Sequence, residues 1–131
     1  MAFYVDTSAL VKLVVAEAES AALLYWLGEQ TQPLVSSDLA RTELVRATRR
    51  AAPDRLVRAR EVLDLLVLIA VGTAIFEQAG RLEPPALRTL DALHLVSALD
   101  LGDDLEGMVT YDDRLASAAQ FHGVPVIAPA S

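Results

Sequence analysis

Short apolar runs alternate with longer amphipathic segments along the whole chain of 131 residues. The apolar runs cover residues 3–5, 33–35, 67–71, 108–110 and 124–127, and the segments between them carry apolar residues at helical spacing. Strands separated by helices of this length form parallel βαβ units, whose strands are uniformly apolar because helices cover both faces of the sheet. The pattern therefore predicts an α/β fold with one domain over residues 1–131. We expect a three-layer α/β/α sandwich with a central parallel sheet of four to five strands.

Serine or threonine residues stand at the start of several predicted helices, where a side-chain oxygen accepts a hydrogen bond from the first turn. The predicted caps are Thr7 or Ser8, Ser36 or Ser37, Thr73, and Thr89.

The composition, the first residues and the apolar pattern together indicate the cellular location. The chain has no cysteine, which excludes disulfides, thiolate zinc sites and a cysteine nucleophile. Its first six residues contain no base and end in an acid, so they do not resemble a secretory signal. The longest apolar stretch, residues 62–71, is interrupted by Asp64 and is shorter than the roughly 20 residues that a membrane span needs. We expect a cytoplasmic protein that does not insert into a membrane.

Four acids lie near the same edge of the predicted sheet. Asp6 and Asp112 come just after the first and fourth strands. Glu43 lies about two turns into the helix after the second strand, and Asp91 lies in the first turn of the helix before the fourth strand. Ligands of open parallel sheets bind outside the carboxyl ends of the strands. We therefore expect the four carboxylates to face one crevice.

Each of these acids also has an ordinary structural explanation. An aspartate between a strand and a helix is often a cap, and an acid in the first helical turn stabilises the helix dipole. Asp6 is the hardest to explain in this way, since Thr7 and Ser8 are available for capping. Glu43 taken alone is more typical of a solvated helix face.

Converging carboxylates repel one another and raise the pKa of at least one member, unless a cation neutralises them. Oxygen ligands without cysteine suit hard cations such as Mg²⁺ or Mn²⁺, with one or two ions in the site. Such ions activate water and stabilise the leaving oxygen of a phosphodiester. The acids thus indicate metal-assisted hydrolysis of phosphodiester bonds.

Four segments carry the four acids: residues 4–13 (YVDTSALVKL), 41–44 (RTEL), 87–95 (LRTLDALHL) and 109–112 (VTYD). In this order they resemble the motifs of PIN domains, and more narrowly those of the VapC toxins of bacterial type II toxin–antitoxin pairs. The resemblance covers the whole chain and leaves no motif acid missing. It implies a Mg²⁺- or Mn²⁺-dependent ribonuclease that inhibits translation and growth and is neutralised by a VapB-like antitoxin.

The same resemblance assigns roles to individual residues. It makes Asp6 and Asp91 the principal metal ligands of the catalytic site. Glu43 and Asp112 complete the acidic set as catalytic residues and ligands, and Asp112 fits the motif better than its neighbour Asp113. Hydroxyl groups beside the acids would play a supporting part; these are Thr7, Ser8 and Thr110. A homodimer formed through helices beside the sheet is also implied.

The net charge of −7, from 18 acids and 11 bases, at first disfavours a nucleic-acid partner. Seven of the bases, however, are arginines within residues 41–60, a segment that carries a charge of +5 and leaves −12 for the rest of the chain. Arginine binds phosphate or carboxylate in a bidentate manner, so the segment is an RNA groove, an antitoxin contact or a solvated helix face. The predicted contact residues are Arg46, Arg49, Arg50 and Lys12.

Two other functions fit parts of the sequence. One is a catalytically silent PIN-fold protein that only binds a partner, although the complete acid set argues against it. The other is an aspartate-based phosphatase, but Ser8 stands where a haloacid-dehalogenase-type loop needs a second Asp, and no glycine-rich phosphate loop is present. His94, three residues after Asp91, is interpreted as a packed, hydrogen-bonded histidine, with a role beside the acids as the alternative.

Overall fold

The computed structural model describes residues 1–130, which form five strands and seven α-helices. The strands are β1 (Ala2–Val5), β2 (Leu34–Ser37), β3 (Val67–Ile69), β4 (Leu105–Val109) and β5 (Val126–Ile127). The helices are α1 (Thr7–Val14), α2 (Ser20–Gly28), α3 (Leu39–Ala51), α4 (Leu56–Asp64), α5 (Thr73–Arg81), α6 (Thr89–Leu99) and α7 (Asp113–Phe121). None of the helices described combines the length and hydropathy needed to cross a bilayer.

All five strands pair in parallel within one sheet, in the order β3-β2-β1-β4-β5. The chain builds outward from β1 through β2 to β3, then returns to the other side of β1 with β4. Ligands of open α/β sheets bind beyond the carboxyl ends of the strands, where the strand order reverses. In this sheet that point lies between β1 and β4. The predicted parallel sheet of four to five strands is confirmed.

Helices cover both faces of the sheet, and side chains of β1 alternate between the two faces. Phe3 and Val5 pack in one hydrophobic cluster with α1, α2, α3 and α4. Ala2 and Tyr4 pack in a second cluster with α6 and α7, and α5 packs against α6 beside it. The three-layer α/β/α sandwich that the sequence predicts is therefore confirmed.

Three of the predicted helix caps are wrong in the same way. Asp6, not Thr7 or Ser8, caps α1, since its side chain accepts a hydrogen bond from the backbone N of Ala9. Here β1 ends at Val5 and the helix begins already at Thr7, so both hydroxyl residues lie inside the first turn. The predicted caps at positions 73 and 89 are likewise the first residues of their helices, one position too late to cap them.

The fourth predicted cap fails because β2 is longer than its apolar run. Ser36 and Ser37 pair with Leu68 and Ile69 of β3, which extends the strand through both serines. Their hydroxyls are buried near the Tyr4 hydroxyl, and neither makes a hydrogen bond of good geometry within the described chain. Pairing with a neighbouring strand has thus overridden the local preference of serine for a helix start.

The sheet is held mainly by burial of the helix faces, which predicts a large loss of stability when such a face is truncated. Leu95 of α6 is fully buried in the cluster with β1 and β4. We expect Leu95→Ala to lower the free energy of unfolding by about 2–5 kcal/mol, measured by urea denaturation. Leu90→Ala on the same helix, where the side chain is 48% exposed, should cost less than about 1 kcal/mol. Equal losses in the two variants would contradict this packing.

Candidate active site

Asp6 lies at the carboxyl end of β1 with only 3% of its surface exposed. Its Oδ1 accepts hydrogen bonds from Ser8 Oγ (2.7 Å) and the backbone N of Ala9 (3.1 Å). Its Oδ2 accepts a hydrogen bond from Thr110 Oγ1 at 2.7 Å. Burial raises the pKa of this carboxyl, and the hydrogen bonds offset that effect only in part. A bound cation stabilises a buried carboxylate of this kind.

Two hydroxyls tie the loop after β4 to the start of α1. Thr110 Oγ1 donates to Asp6 and accepts a hydrogen bond from the backbone N of Asp112 at 3.1 Å. Ser8 Oγ also donates to Asp6 and accepts from the backbone N of Tyr111 at 2.9 Å. These bonds fix the loop that carries Asp112 relative to Asp6. The structure therefore places two of the three predicted supporting residues, Ser8 and Thr110, against Asp6.

Glu43 reaches the same region from α3, with its side chain 24% exposed. Its Oε1 accepts hydrogen bonds from Thr7 Oγ1 at 2.9 Å and from His94 Nε2 at 2.6 Å. Burial acts to raise the pKa of this carboxyl, but the bonds from His94 and Thr7 outweigh burial and hold the pKa below its usual value. Glu43 is thus an anchored carboxylate and not the solvated residue that its position in a helix alone suggests.

Asp91 is half-buried in the first turn of α6. Burial raises the pKa of its carboxyl, and the negative charges of Asp112 and Asp6 raise it further. Asp112 caps α7, where its Oδ1 accepts hydrogen bonds from the backbone N atoms of Arg114 (2.9 Å) and Leu115 (3.0 Å). The acids thus act on one another electrostatically at this edge of the sheet.

A depression of about 300 Å³ lies beside Asp91 and Asp112. Asp113 lines it as well, together with Arg88 and Arg114. The charge of Asp112 acts on Asp91, which favours Asp112 as the fourth acid. The choice between the two neighbouring aspartates stays a prediction.

The donor set determines which ion fits. Among residues 1–130, no three histidine, aspartate or glutamate side chains stand close enough to enclose an ion by themselves. The four acids offer oxygen donors alone, and Mg²⁺ is commonly held by one or two carboxylates while it keeps several waters. Like charges at this edge also favour a cation over an empty site. These residues fit a hydrated Mg²⁺ or Mn²⁺ ion.

A groove of about 620 Å³ runs along α3, and Glu43 is the one member of the acidic set in its lining. Asp91 and Asp112 line the separate depression, so the described residues do not bring all four acids into one crevice as expected. Its lining includes Thr7 and Glu43, and then Arg46 and Arg50 one and two turns further along the helix. Apolar side chains line much of the rest, namely Leu39, Ala47, Val71 and Leu90. Arg46, Arg49 and Arg50 also surround a second depression, and none of the three forms an ion pair within the described residues. Three of the four predicted contact residues are therefore clustered, exposed and without an acidic partner among the described residues.

Lys12, the fourth predicted contact residue, is engaged elsewhere. Its Nζ lies 2.6 Å from Glu19 Oε1 and 3.6 Å from Glu17 Oε1, and 4.7 Å from the centre of the Tyr111 ring. Desolvation acts to lower the pKa of Lys12, but the two glutamates outweigh it and hold the pKa above its usual value. A contact with RNA or antitoxin would have to break these pairs, and it stays a prediction.

Tyr4 is a residue at the site that sequence reasoning did not single out. Its hydroxyl lies 2.7 Å from Nδ1 of His94, on the ring whose Nε2 contacts Glu43. His94 is 2% exposed, so the interpretation of a packed, hydrogen-bonded histidine is confirmed. The sequence did contain a signal for Tyr4, since it is a tyrosine within an otherwise apolar strand. A buried tyrosine hydroxyl needs a hydrogen-bond partner, which predicts a polar contact at this position.

An isosteric substitution tests how much the Thr110 hydroxyl contributes to stability. Thr110→Val keeps the volume but leaves the buried Asp6 Oδ2 without its donor, and such a loss costs about 1–3 kcal/mol. We expect a lower free energy of unfolding in urea, and recovery of most of the loss in Thr110→Ser. A valine variant as stable as the wild type would show that this bond contributes nothing.

A comparison with known families identifies the fold. The PIN domain family matches residues 3–120, and the chain therefore belongs to the PIN domain family.

Within that family, the chain is similar to VapC proteins of Mycobacterium tuberculosis. The chain is 46% identical to ribonuclease VapC46 over 128 residues, which cover 98% of both chains. It is 41% identical to ribonuclease VapC35 over 129 residues and 37% identical to ribonuclease VapC47 over 130 residues, with 96% of each chain covered. The resemblance to VapC toxins seen in the four motifs is thus confirmed over nearly the full length.

Solved structures show the same fold at lower identity. The crystal structure of Mycobacterium tuberculosis VapC20, a Sarcin-Ricin loop cleaving toxin, superposes with a TM-score of 0.75 at 18% identity, covering 88% of this chain and 94% of that chain. A toxin–antitoxin complex from Klebsiella pneumoniae superposes with a TM-score of 0.67 at 22% identity, covering 98% of both chains.

Proposed function

We propose that the chain is a metal-dependent endoribonuclease and the toxin of a type II toxin–antitoxin pair. The observation that carries the proposal is the set of four acids at the carboxyl edge of the sheet, centred on the buried Asp6. The names of its VapC relatives, which are ribonucleases, support the same activity. RNA is the proposed substrate, and growth inhibition through loss of translation is the proposed consequence.

Asp6 and Asp91 would hold the divalent ion, with Glu43 and Asp112 completing the site. When bound, such an ion supplies Lewis-acid stabilisation of the phosphodiester and activation of water for its hydrolysis. The hydroxyls of Ser8 and Thr110 hold Asp6 in one orientation for this purpose. The products expected from the family resemblance carry 5′-phosphate and 3′-hydroxyl ends.

The arginines of α3 would bind the RNA backbone next to the acids. Arg46 and Arg50 line the groove that also contains Glu43, so an RNA strand held there would pass Glu43. Guanidinium groups bind phosphate in a bidentate manner, and the lack of intramolecular partners leaves them available. This local positive charge matters more to RNA than the net charge of −7, because the ligand meets the field of the groove.

Cleavage of RNA by the purified chain tests this function. We expect cleavage in Mg²⁺ or Mn²⁺, its loss in EDTA, and its return when the metal is restored in excess. Sequencing of the new 5′ ends would identify the bond that is cut. Cleavage that continues unchanged in EDTA would contradict the proposal, and intact RNA in every condition would favour the catalytically silent alternative.

A VapB-like antitoxin is the proposed protein partner. Its acidic side chains would contact the arginines of the groove while a basic residue reaches the acids of the site. Binding there would exclude RNA by occupying the same surface. Mixing the chain with its antitoxin should therefore abolish RNA cleavage.

The homodimer is also a proposal. Light scattering after size exclusion should return twice the chain mass of 14.1 kDa. A monomer mass at micromolar concentration would refute it.

A further inference from the structure

A continuous chain of hydrogen bonds runs from the core of the sheet to the edge of the site. The Tyr4 hydroxyl is fully buried and lies 2.7 Å from Nδ1 of His94. The other ring nitrogen of His94, Nε2, lies 2.6 Å from Oε1 of Glu43. The three residues come from β1, α6 and α3, so these hydrogen bonds connect the sheet with one helix of each helical layer.

The direction of these bonds follows from the donors available. A tyrosine phenol keeps its proton at neutral pH, so the Tyr4 hydroxyl can donate to Nδ1 of His94, which lies 2.7 Å away. A ring whose Nδ1 accepts a hydrogen bond carries its proton on Nε2. Nε2–H then donates to Glu43 Oε1, a carboxylate oxygen that has no proton of its own.

This arrangement occupies one oxygen of Glu43 and leaves the other free. Oε1 accepts from both His94 and Thr7, whereas Oε2 has no hydrogen-bond partner among the described residues. A carboxylate fixed through one oxygen presents the second in a defined direction. Outer hydrogen-bond partners of this kind orient ligands at metal sites, and losing one typically costs about 10- to 100-fold in metal affinity or activity.

We propose that Tyr4 and His94 are positioning residues, which hold Glu43 so that its Oε2 is available to a divalent cation. The inference rests on the proposed function, since it concerns the same site. His94 does not touch the ion or the RNA in this account; it acts through Glu43, and Tyr4 acts through His94.

Calorimetric titration with Mn²⁺ and RNA cleavage, applied to a set of variants, test the proposal. His94→Leu should weaken Mn²⁺ binding and lower kcat by about 10- to 100-fold, with little change in the KM for RNA. His94→Gln keeps a donor near Glu43 and should recover most of the loss. Tyr4→Phe should give a smaller loss, of about 3- to 10-fold. Ser97→Ala, which deletes a buried hydroxyl bonded within α6, is the matched control and should change neither quantity.

Nitrogen NMR of the histidine ring supplies a readout that needs no metal. In the wild type, His94 should carry its proton on Nε2 and none on Nδ1, and Tyr4→Phe should shift the Nδ1 resonance. A proton on Nδ1 in place of Nε2 would overturn the proposal, and so would wild-type Mn²⁺ affinity in a folded His94→Leu variant. If the wild type neither binds Mn²⁺ nor cleaves RNA, the proposed function fails, while the nitrogen spectrum still decides whether His94 donates to Glu43.

Discussion

Asp6→Asn should abolish at least about 99% of RNA cleavage while the protein stays folded. Loss of an outer partner of a metal ligand already costs about 10- to 100-fold, so loss of the proposed ligand itself should cost at least about 100-fold. Stability should stay close to that of the wild type, because relief of the buried charge of Asp6, whose folded-state pKa is raised, offsets loss of the Oδ2 acceptor for Thr110. Asparagine also remains a good helix cap for α1.

The comparison requires both activity and unfolding measurements on each variant. Asp64→Asn is the control, since Asp64 is exposed at the end of α4, near the opposite edge of the sheet. It should leave cleavage at the wild-type rate. An Asp6→Asn variant that is folded and fully active would remove Asp6 from the site. A variant that is inactive because it no longer folds would instead assign Asp6 a structural role as the cap of α1.

Asp91→Asn should produce a loss of the same order, again at least about 100-fold, for the same reason. Burial and the charges of Asp112 and Asp6 raise the pKa of Asp91, so removal of its charge relieves repulsion and should leave stability equal or higher. Asp100→Asn, at the opposite end of the same helix, is a matched control and should retain wild-type cleavage. Similar cleavage rates in the two variants would show that Asp91 is an ordinary acid of a first helical turn.

The layered fold was predictable because it depends on patterns repeated along the whole chain. Five apolar runs separated by helical segments leave few arrangements other than a parallel sheet covered on both faces. The ends of the elements were not predictable to the same degree. Ser36 and Ser37 belong to β2 because β3 pairs with them, and that partner lies some thirty residues further along the chain. Local preference for a helix start carries no information about such a pairing.

The acids could be placed for a similar reason, since each stands at the carboxyl edge by virtue of the strand or helix that carries it. The hydrogen bonds that set the orientation and the pKa of these acids could not be predicted in this way. Thr110 bonds Asp6 across 104 positions of sequence, and Tyr4 bonds His94 across 90. Packing of distant elements determines these two contacts. Lys12 shows a different limitation, because its ion pairs with Glu17 and Glu19 depend on how the chain turns between α1 and α2.

The central claim is that the acids at the carboxyl edge bind a divalent cation, and titration of the chain with Mn²⁺ in a calorimeter tests it most directly. The account predicts saturable binding of one or two ions by the wild type, and loss of that binding in folded Asp6→Asn and Asp91→Asn variants. Equal Mn²⁺ binding by all three proteins, or no binding by the wild type, would contradict it.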